Sequence, residues 1–289
     1  MSAIALEGVT RSFGGKQVLR GVSAKAEKGR VIGLLGRNGE GKTTLFRIML
    51  DILAMDSGRV EVLGLTPDGS GRIRGQVGYV PEKPAFHDFM TAAEVFELRS
   101  RLFPGWKREK AAELAKRLDL DLGTRIQGAS KGTLGKIAWV CAAAHDPKLF
   151  LLDEPTSGLD ALVRDDVLNE LINELHETGK TIVVANHRME ELAGVLDEIW
   201  VLSHGVLSGI HEMERLKAEA CRITGRLKEG ESLPPGIAAR VEGGLTVCEL
   251  LDASAAQRLL SSGVLEGAEK SSIPMDGILK LLLKNGGAS

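Results

Sequence analysis

Residues 36–44 read GRNGEGKTT, a glycine-rich stretch of the form G-x-x-x-x-G-K-[ST]. Gly36, Gly39 and Gly41 allow a backbone to turn its N–H groups toward phosphate oxygens at a helix N-terminus, where the helix dipole favours anions. Lys42 adds a positive charge for β- and γ-phosphates, Thr43 offers a hydroxyl to Mg²⁺, and Asn38 and Thr44 complete the loop's nucleotide contacts. Asp153 and Glu154 end the apolar run Leu149-Phe150-Leu151-Leu152. A buried strand there delivers Asp153 to its carboxyl end as a Mg²⁺ ligand and leaves Glu154 as the base for an attacking water. A bare glycine turn, or a strand ending in two solvated carboxylates, would account for either half alone. The two halves together point to a nucleotide hydrolase that uses Mg²⁺.

The elements needed to position these groups are visible in the apolar pattern. Val31 to Leu35 leads into the loop as a strand, and a helix is expected from about Lys42 to Leu53. Short apolar pieces over residues 3–35, broken by Gly14-Gly15 and Gly29, read as antiparallel strands. Arg59 to Gly64 and Gln76 to Pro81 read as further strands. Thr91-Ala92-Ala93-Glu94 is a capping box that opens a helix carrying Val95, Phe96, Arg99, Leu102 and Phe103 up to Pro104. Phe96 and Phe103, seven apart, are expected in the core. Ala111, Leu114, Ala115 and Leu118 mark a second helix, so a helical block over about residues 86–144 interrupts an α/β pattern. The alternation resumes with strands at Lys148 to Leu152, Thr181 to Ala185 and Glu198 to Leu202 and a helix near Leu162 to His176. That order implies a mostly parallel sheet with helices on both faces.

Composition limits the setting. The 289 residues are long for one compact unit and suggest a large domain with a smaller one. Lysine plus arginine total 37 against 39 acidic residues, a formal charge of −2, and there is no basic stripe for nucleic acid. Three cysteines, Cys141, Cys221 and Cys248, lack metal-knuckle spacing and fit a reducing, cytoplasmic compartment. The longest apolar stretch, Ile137 to Ala144, falls short of the roughly 18 to 20 residues of a spanning helix, and no signal segment opens the chain.

Asp153-Glu154-Pro155-Thr156-Ser157-Gly158-Leu159-Asp160 resembles the joined Walker B and D-loop of ATP-binding-cassette (ABC) ATPases, and the resemblance extends over about residues 1–215. It implies a P-loop NTPase, RecA-like core with an antiparallel β subdomain and a helical subdomain. Position by position, Phe13 matches the aromatic that stacks on adenine, His187 the switch histidine on the γ-phosphate, and Asp160 the D-loop aspartate. Ala129-Ser130-Lys131-Gly132-Thr133 matches the signature segment, commonly LSGGQ, at Ser130 and Gly132. These residues complete a site on nucleotide bound by a second cassette, so the resemblance implies a dimer. Lys131 and Thr133 depart from the common pattern. Glu82 also departs, standing where the family usually has Gln; a carboxylate there can ligate Mg²⁺ but not donate a hydrogen bond. Such a Glu with an S-K-G signature resembles the branch paired with exporter-type membrane subunits.

The same resemblance implies a separate transmembrane permease as partner, holding the protein at the inner face of the cell membrane, with no nucleic acid expected. Phe86 and Phe89, in a loop without helix or strand period, read either as a docking patch for that partner or as core. A soluble cassette acting on nucleic acid or ribosomes, and a degenerate regulatory cassette, are the alternatives. Beyond residue 217 the composition changes: Pro234-Pro235-Gly236 and Gly243-Gly244 separate Cys221 to Thr224 and Leu245 to Leu250, and Ala253 to Leu260 and Ile278 to Leu283 read as helices. Residues 1–217 are expected to form the ATPase domain and 218–289 a small α/β appendage serving dimer support or partner contact.

Overall fold

A computed structural model of the chain describes residues 2–157, 164, 170, 172, 179–186 and 188–285. Strands β1 (Ser2–Phe13) and β2 (Lys16–Glu27) form an antiparallel pair, and β4 (Ser57–Val62) joins β1 on its other side. The next apolar piece, β3 (Val31–Leu35), leaves this antiparallel series, contrary to the sequence expectation for residues 3–35. All five of its residues are buried. A strand covered on both faces belongs in a parallel sheet between two layers rather than in a sheet with one wet face.

That sheet has six strands in the order β5-β6-β7-β3-β8-β9, where β5 is Val77–Val80, β6 Leu149–Asp153, β7 Thr181–Ala185, β8 Glu198–Ser203 and β9 Val206–Glu212. Neighbours are parallel from β5 through β8, and β9 returns antiparallel. Register fixes the site. Asp153 pairs with Ala185, and Ala185 pairs with Leu34, so the acidic end of β6 is level with the end of β3.

Helix α1 (Lys42–Met49) begins directly after the glycine loop and fills the space between the two sheets with Leu45 and Phe46, which meet Ile4, Leu19, Leu151 and Trp200 in one core. It ends four residues before the expected Leu53, where Asp51 takes a left-handed φ of 57°. The other face of the parallel sheet is covered by α2 (Ala92–Leu102), α3 (Arg108–Arg117) and α4 (Lys131–Ala143), the expected helical block. The capping box on α2 is formed: Thr91 Oγ1 accepts from Glu94 N at 3.3 Å and Glu94 Oε2 accepts from Thr91 N at 2.7 Å. Phe96 is in the core, whereas Phe103 lies past the helix end, half-buried against His145 with ring centroids 4.8 Å apart. The helix near Leu162 to His176 falls largely outside the described residues.

After α5 (Met213–Glu219), β10 (Cys221–Leu227), β11 (Ala239–Glu242), β12 (Leu245–Leu250) and β13 (Leu265–Ser272) form a separate antiparallel sheet in the order β11-β12-β10-β13. Helix α6 (Ala253–Ser262) closes a small core with Cys221, Ile223, Cys248 and Leu259. Helix α7 (Met275–Asn285) then leaves that core. Its Ile278, Leu279 and Leu282 are buried in the main helical core together with Met189, Leu192 and Leu196.

Candidate nucleotide-binding site

The glycine loop needs conformations closed to most side chains. Gly39 and Gly41 have φ of 86° and 106°, and a Cβ on Gly41 would lie 2.7 Å from Leu19 Cδ2. The loop therefore fits tightly over β2, and its Gly41 opens α1. Lys42 is buried, with Nζ 2.7 Å from the Gly36 carbonyl and 3.3 Å from that of Arg37. Among the described residues no carboxylate is within ion-pair distance of it. A buried ammonium held only by carbonyls suits an incoming anion, because an unbalanced charge removed from water is costly.

Facing the loop, Thr43 Oγ1 donates to Asp153 Oδ2 at 2.6 Å. Glu154 is buried just beyond, its backbone in the left-handed region at φ 52° and its N–H on Ala185 O at 2.7 Å. A non-glycine residue held there marks strain kept by its surroundings, a pattern common at reactive sites. Burial pushes the Asp153 carboxyl above its ordinary range; the Thr43 hydrogen bond and Lys42 oppose the shift, while the charges of Glu154 and Glu82 add to it. These groups share one cleft of about 500 Å³.

Of the residues expected from the sequence, Phe13, Asn38, Gly39, Gly41, Lys42, Thr43, Thr44, Glu82, Asp153 and Glu154 line this cleft. Gly36 joins them through its carbonyl on Lys42. Phe13 is exposed at its edge, 44% accessible, with the Arg11 guanidinium 4.9 Å from its ring centre. Ser130 and Gly132 do not line the cleft. Ser130 caps α4, accepting from Thr133 N at 3.1 Å. Asp160 and His187 lie outside the described residues. Next to His187, Asn186 Oδ1 accepts from Arg188 N at 2.9 Å and Asn186 Nδ2 donates to Thr156 Oγ1 at 3.4 Å, which ties the end of β7 to the segment after Glu154.

Val18 and Ser157 also line the cleft and were not singled out in the sequence. Val18 carries no chemical signal, since only the β1–β2 pairing brings it under Gly41. Ser157 was readable as the continuation of the acidic run.

The residues fit nucleotide with a hard cation. A threonine hydroxyl and a carboxylate at hydrogen-bond distance, with Glu82 nearby, form a short oxygen set of the kind that holds Mg²⁺ when phosphate and water supply the remaining ligands. Among the described residues no group of three or more His, Cys, Asp or Glu side chains is arranged to hold a metal by itself.

A second concavity of about 460 Å³ lies over α2, lined by Tyr79, Phe86, Met90, Leu98, Arg99 and Leu102 among others. Phe86 is half-buried in this wall, and Phe89 is 72% exposed and stacked on His87 at 5.4 Å. Among the described residues no helix is long and apolar enough to cross a membrane.

Comparison with known proteins agrees with this geometry. The sequence profile of the family described as "ABC transporter" matches residues 19–157. The chain is 32% identical over 220 residues to the ABC transporter ATP-binding protein YtrB of Bacillus subtilis (strain 168), spanning 76% of this chain and 75% of that protein. It is 33% identical to NatA of the same organism, over 73% of this chain and 93% of that protein, and 35% identical to the Nod factor export ATP-binding protein I of Rhizobium sp. (strain N33), over 70% and 68%. The solved ATP-binding subunit of an ABC transporter superposes with a TM-score of 0.68 at 24% identity, over 75% of this chain and 92% of that one, which supports the fold. By these matches the chain belongs to the family of ABC transporter ATP-binding proteins.

Proposed function

We propose that this chain binds ATP between the Phe13 edge and the glycine loop, hydrolyses it with Glu154, and drives a separate membrane-spanning subunit of the export type. The observation that carries the chemistry is the Thr43–Asp153 hydrogen bond beside buried Glu154, opposite Lys42. Loop amides and Lys42 hold the phosphates, Thr43, Asp153 and Glu82 hold Mg²⁺, and Phe13 stacks on adenine for about 1–3 kcal/mol. The cation, when bound, neutralises charge on the β- and γ-phosphate oxygens. Glu154 orients the attacking water and accepts its proton; His187 contacts the γ-phosphate, and Asp160 closes the D-loop side. Export is the reading supported by relatives whose names specify Nod factor export and linearmycin resistance.

Ser130 and Gly132 lie off the cleft of their own chain, which supports a site shared between two cassettes, each giving its signature helix to the other's nucleotide. The domain division belongs to the same proposal: residues 1–217 as the ATPase domain, and 218–289 as an appendage with its own sheet and small core, tied back by α7. The groove over α2, with Phe86 in its wall and Phe89 beside it, receives the membrane subunit, which holds the protein at the inner face of the membrane. Sedimentation of a Glu154→Gln variant tests the shared site. A dimer is expected with ATP-Mg and not with ADP or without nucleotide, and Ser130→Arg abolishes it. An unchanged mass in all three conditions would reject a site shared between two copies of this chain.

A further inference from the structure

Strand β1 ends at Phe13, the exposed aromatic at the edge of the nucleotide cleft. An exposed phenyl ring is poorly fixed by its own torsions, since χ2 of Phe has a broad, roughly two-fold profile. Support comes from Arg11, two residues earlier and so on the same side of the strand, whose guanidinium sits over the ring with Cζ 4.9 Å from the centroid. Phe13 lines the cleft and Arg11 does not. The guanidinium is itself anchored. Asp56, just before β4, accepts from Arg11 Nη1 at 2.9 Å through Oδ1 and from Ser12 N at 2.7 Å through Oδ2, and its own N–H donates to Thr10 O at 2.8 Å. One residue thus grips three successive positions of β1. The Arg11 and Asp56 side chains are 24% and 39% exposed, a setting in which an ion pair adds little to stability. Arg11 Nε is closed to solvent and makes no hydrogen bond among the described residues, a cost that a guanidinium placed for hydrogen bonding alone avoids. Both observations fit a cation placed for the ring.

We propose that Arg11 is a positioning residue for the nucleotide base: anchored by Asp56, it holds the Phe13 ring in the plane on which a purine stacks, from the side away from the cleft. Two effects act together. A ring held in one plane has less freedom to lose when the base lands on it, so the contact is pre-organised. A cation on one face also draws π density toward itself, which weakens the repulsion between two electron-rich faces stacked on the other. Strand β2 contributes to the same arrangement. Arg11 pairs with Leu19 and Ser12 with Gln17, so Val18 is an extra residue in the ladder, and Val18 lines the cleft with Phe13. The effect is confined to the base, since the phosphates are held by the glycine loop and Lys42. This inference rests on the reading of Phe13 as the aromatic that stacks on adenine.

The test uses the full chain with Mg²⁺ and two ligands: the non-hydrolysable imido analogue of ATP, and inorganic tripolyphosphate, which carries the phosphates without a base. Calorimetric titration gives both dissociation constants. Phe13→Ala is expected to weaken the ATP analogue about tenfold and tripolyphosphate not at all. Arg11→Gln is expected to weaken the ATP analogue by about two- to fivefold, the worth of a partly exposed cation–π contact, with tripolyphosphate again unchanged. Arg11→Met is expected to do the same, so the test survives the failure of either variant to fold. In a Phe13→Ala background Arg11→Gln is expected to add less than about 1.5-fold, because the ring it acts through is gone. Unchanged affinity of the Arg11 variants for the ATP analogue, equal weakening of both ligands, or the full loss persisting in the Phe13→Ala background would each overturn the role of Arg11 and leave that of Phe13 in place. A Phe13→Ala variant that binds the ATP analogue as wild type does would overturn the stacking reading itself and the inference with it.

Discussion

Thr43 and Asp153, 110 positions apart in sequence, meet through a 2.6 Å hydrogen bond because β3 and β6 flank β7 in register. One lies in the first turn of the helix after the phosphate loop, the other ends a strand buried on both faces, so any shift of the sheet register would separate them. The site is therefore a property of the sheet rather than of either loop alone.

Asp153→Asn is expected to stabilise the nucleotide-free protein at neutral pH while abolishing Mg²⁺-dependent activity. A carboxylate whose native pKa is raised, here chiefly by burial, contributes stability below its ordinary value near 3.8 and loses it as pH rises through the higher native value. Asparagine still accepts from Thr43 without the charge. The melting temperature of the variant should exceed wild type at pH 7 without ligand, the difference shrinking toward pH 4; a variant less stable than wild type at pH 7 would contradict the electrostatic account.

Glu82→Ala is expected to raise the Mg²⁺ concentration needed for half-maximal phosphate release by about tenfold or more, with little change in the binding of metal-free ATP. The motivation is the position of Glu82 on the cleft beside Asp153. An unchanged Mg²⁺ dependence would remove it from the metal shell.

Leu282→Ala is expected to destabilise the whole chain by about 2–5 kcal/mol, although the residue lies in the last helix. Leu282 is 2% exposed and shares the main core with Met189 and Leu192, which follow His187. Urea unfolding followed by intrinsic Trp fluorescence measures it, since Trp139 and Trp200 are both buried in the first 217 residues. A loss under about 0.5 kcal/mol would show that α7 is not integral to that core.

The parts of the site that depend on backbone chemistry were legible in the sequence. Glycines needing positive φ, a lysine and hydroxyl at the helix start, and two carboxylates after an apolar run keep their spacing whatever packs around them. The capping box at Thr91 and the helix after Ser130 were legible for the same local reason. What pairing decides was not legible: Val18 reaches the cleft only through strand register, and β3 joins the parallel sheet because both its faces are covered. Residues 278–283 were readable as a helix, but nothing local told which core Ile278 and Leu282 would enter.

The most direct test of the central claim, that this cleft hydrolyses ATP with Glu154 as the base, is steady-state phosphate release at saturating ATP-Mg by wild type and Glu154→Gln, with ATP binding measured alongside. The substitution removes the base and leaves Lys42, Thr43 and Asp153 in place. Turnover is expected to fall by at least about 10²-fold while ATP binding is retained. A variant keeping more than about a tenth of wild-type turnover would contradict the assignment of Glu154 and with it this account of the site.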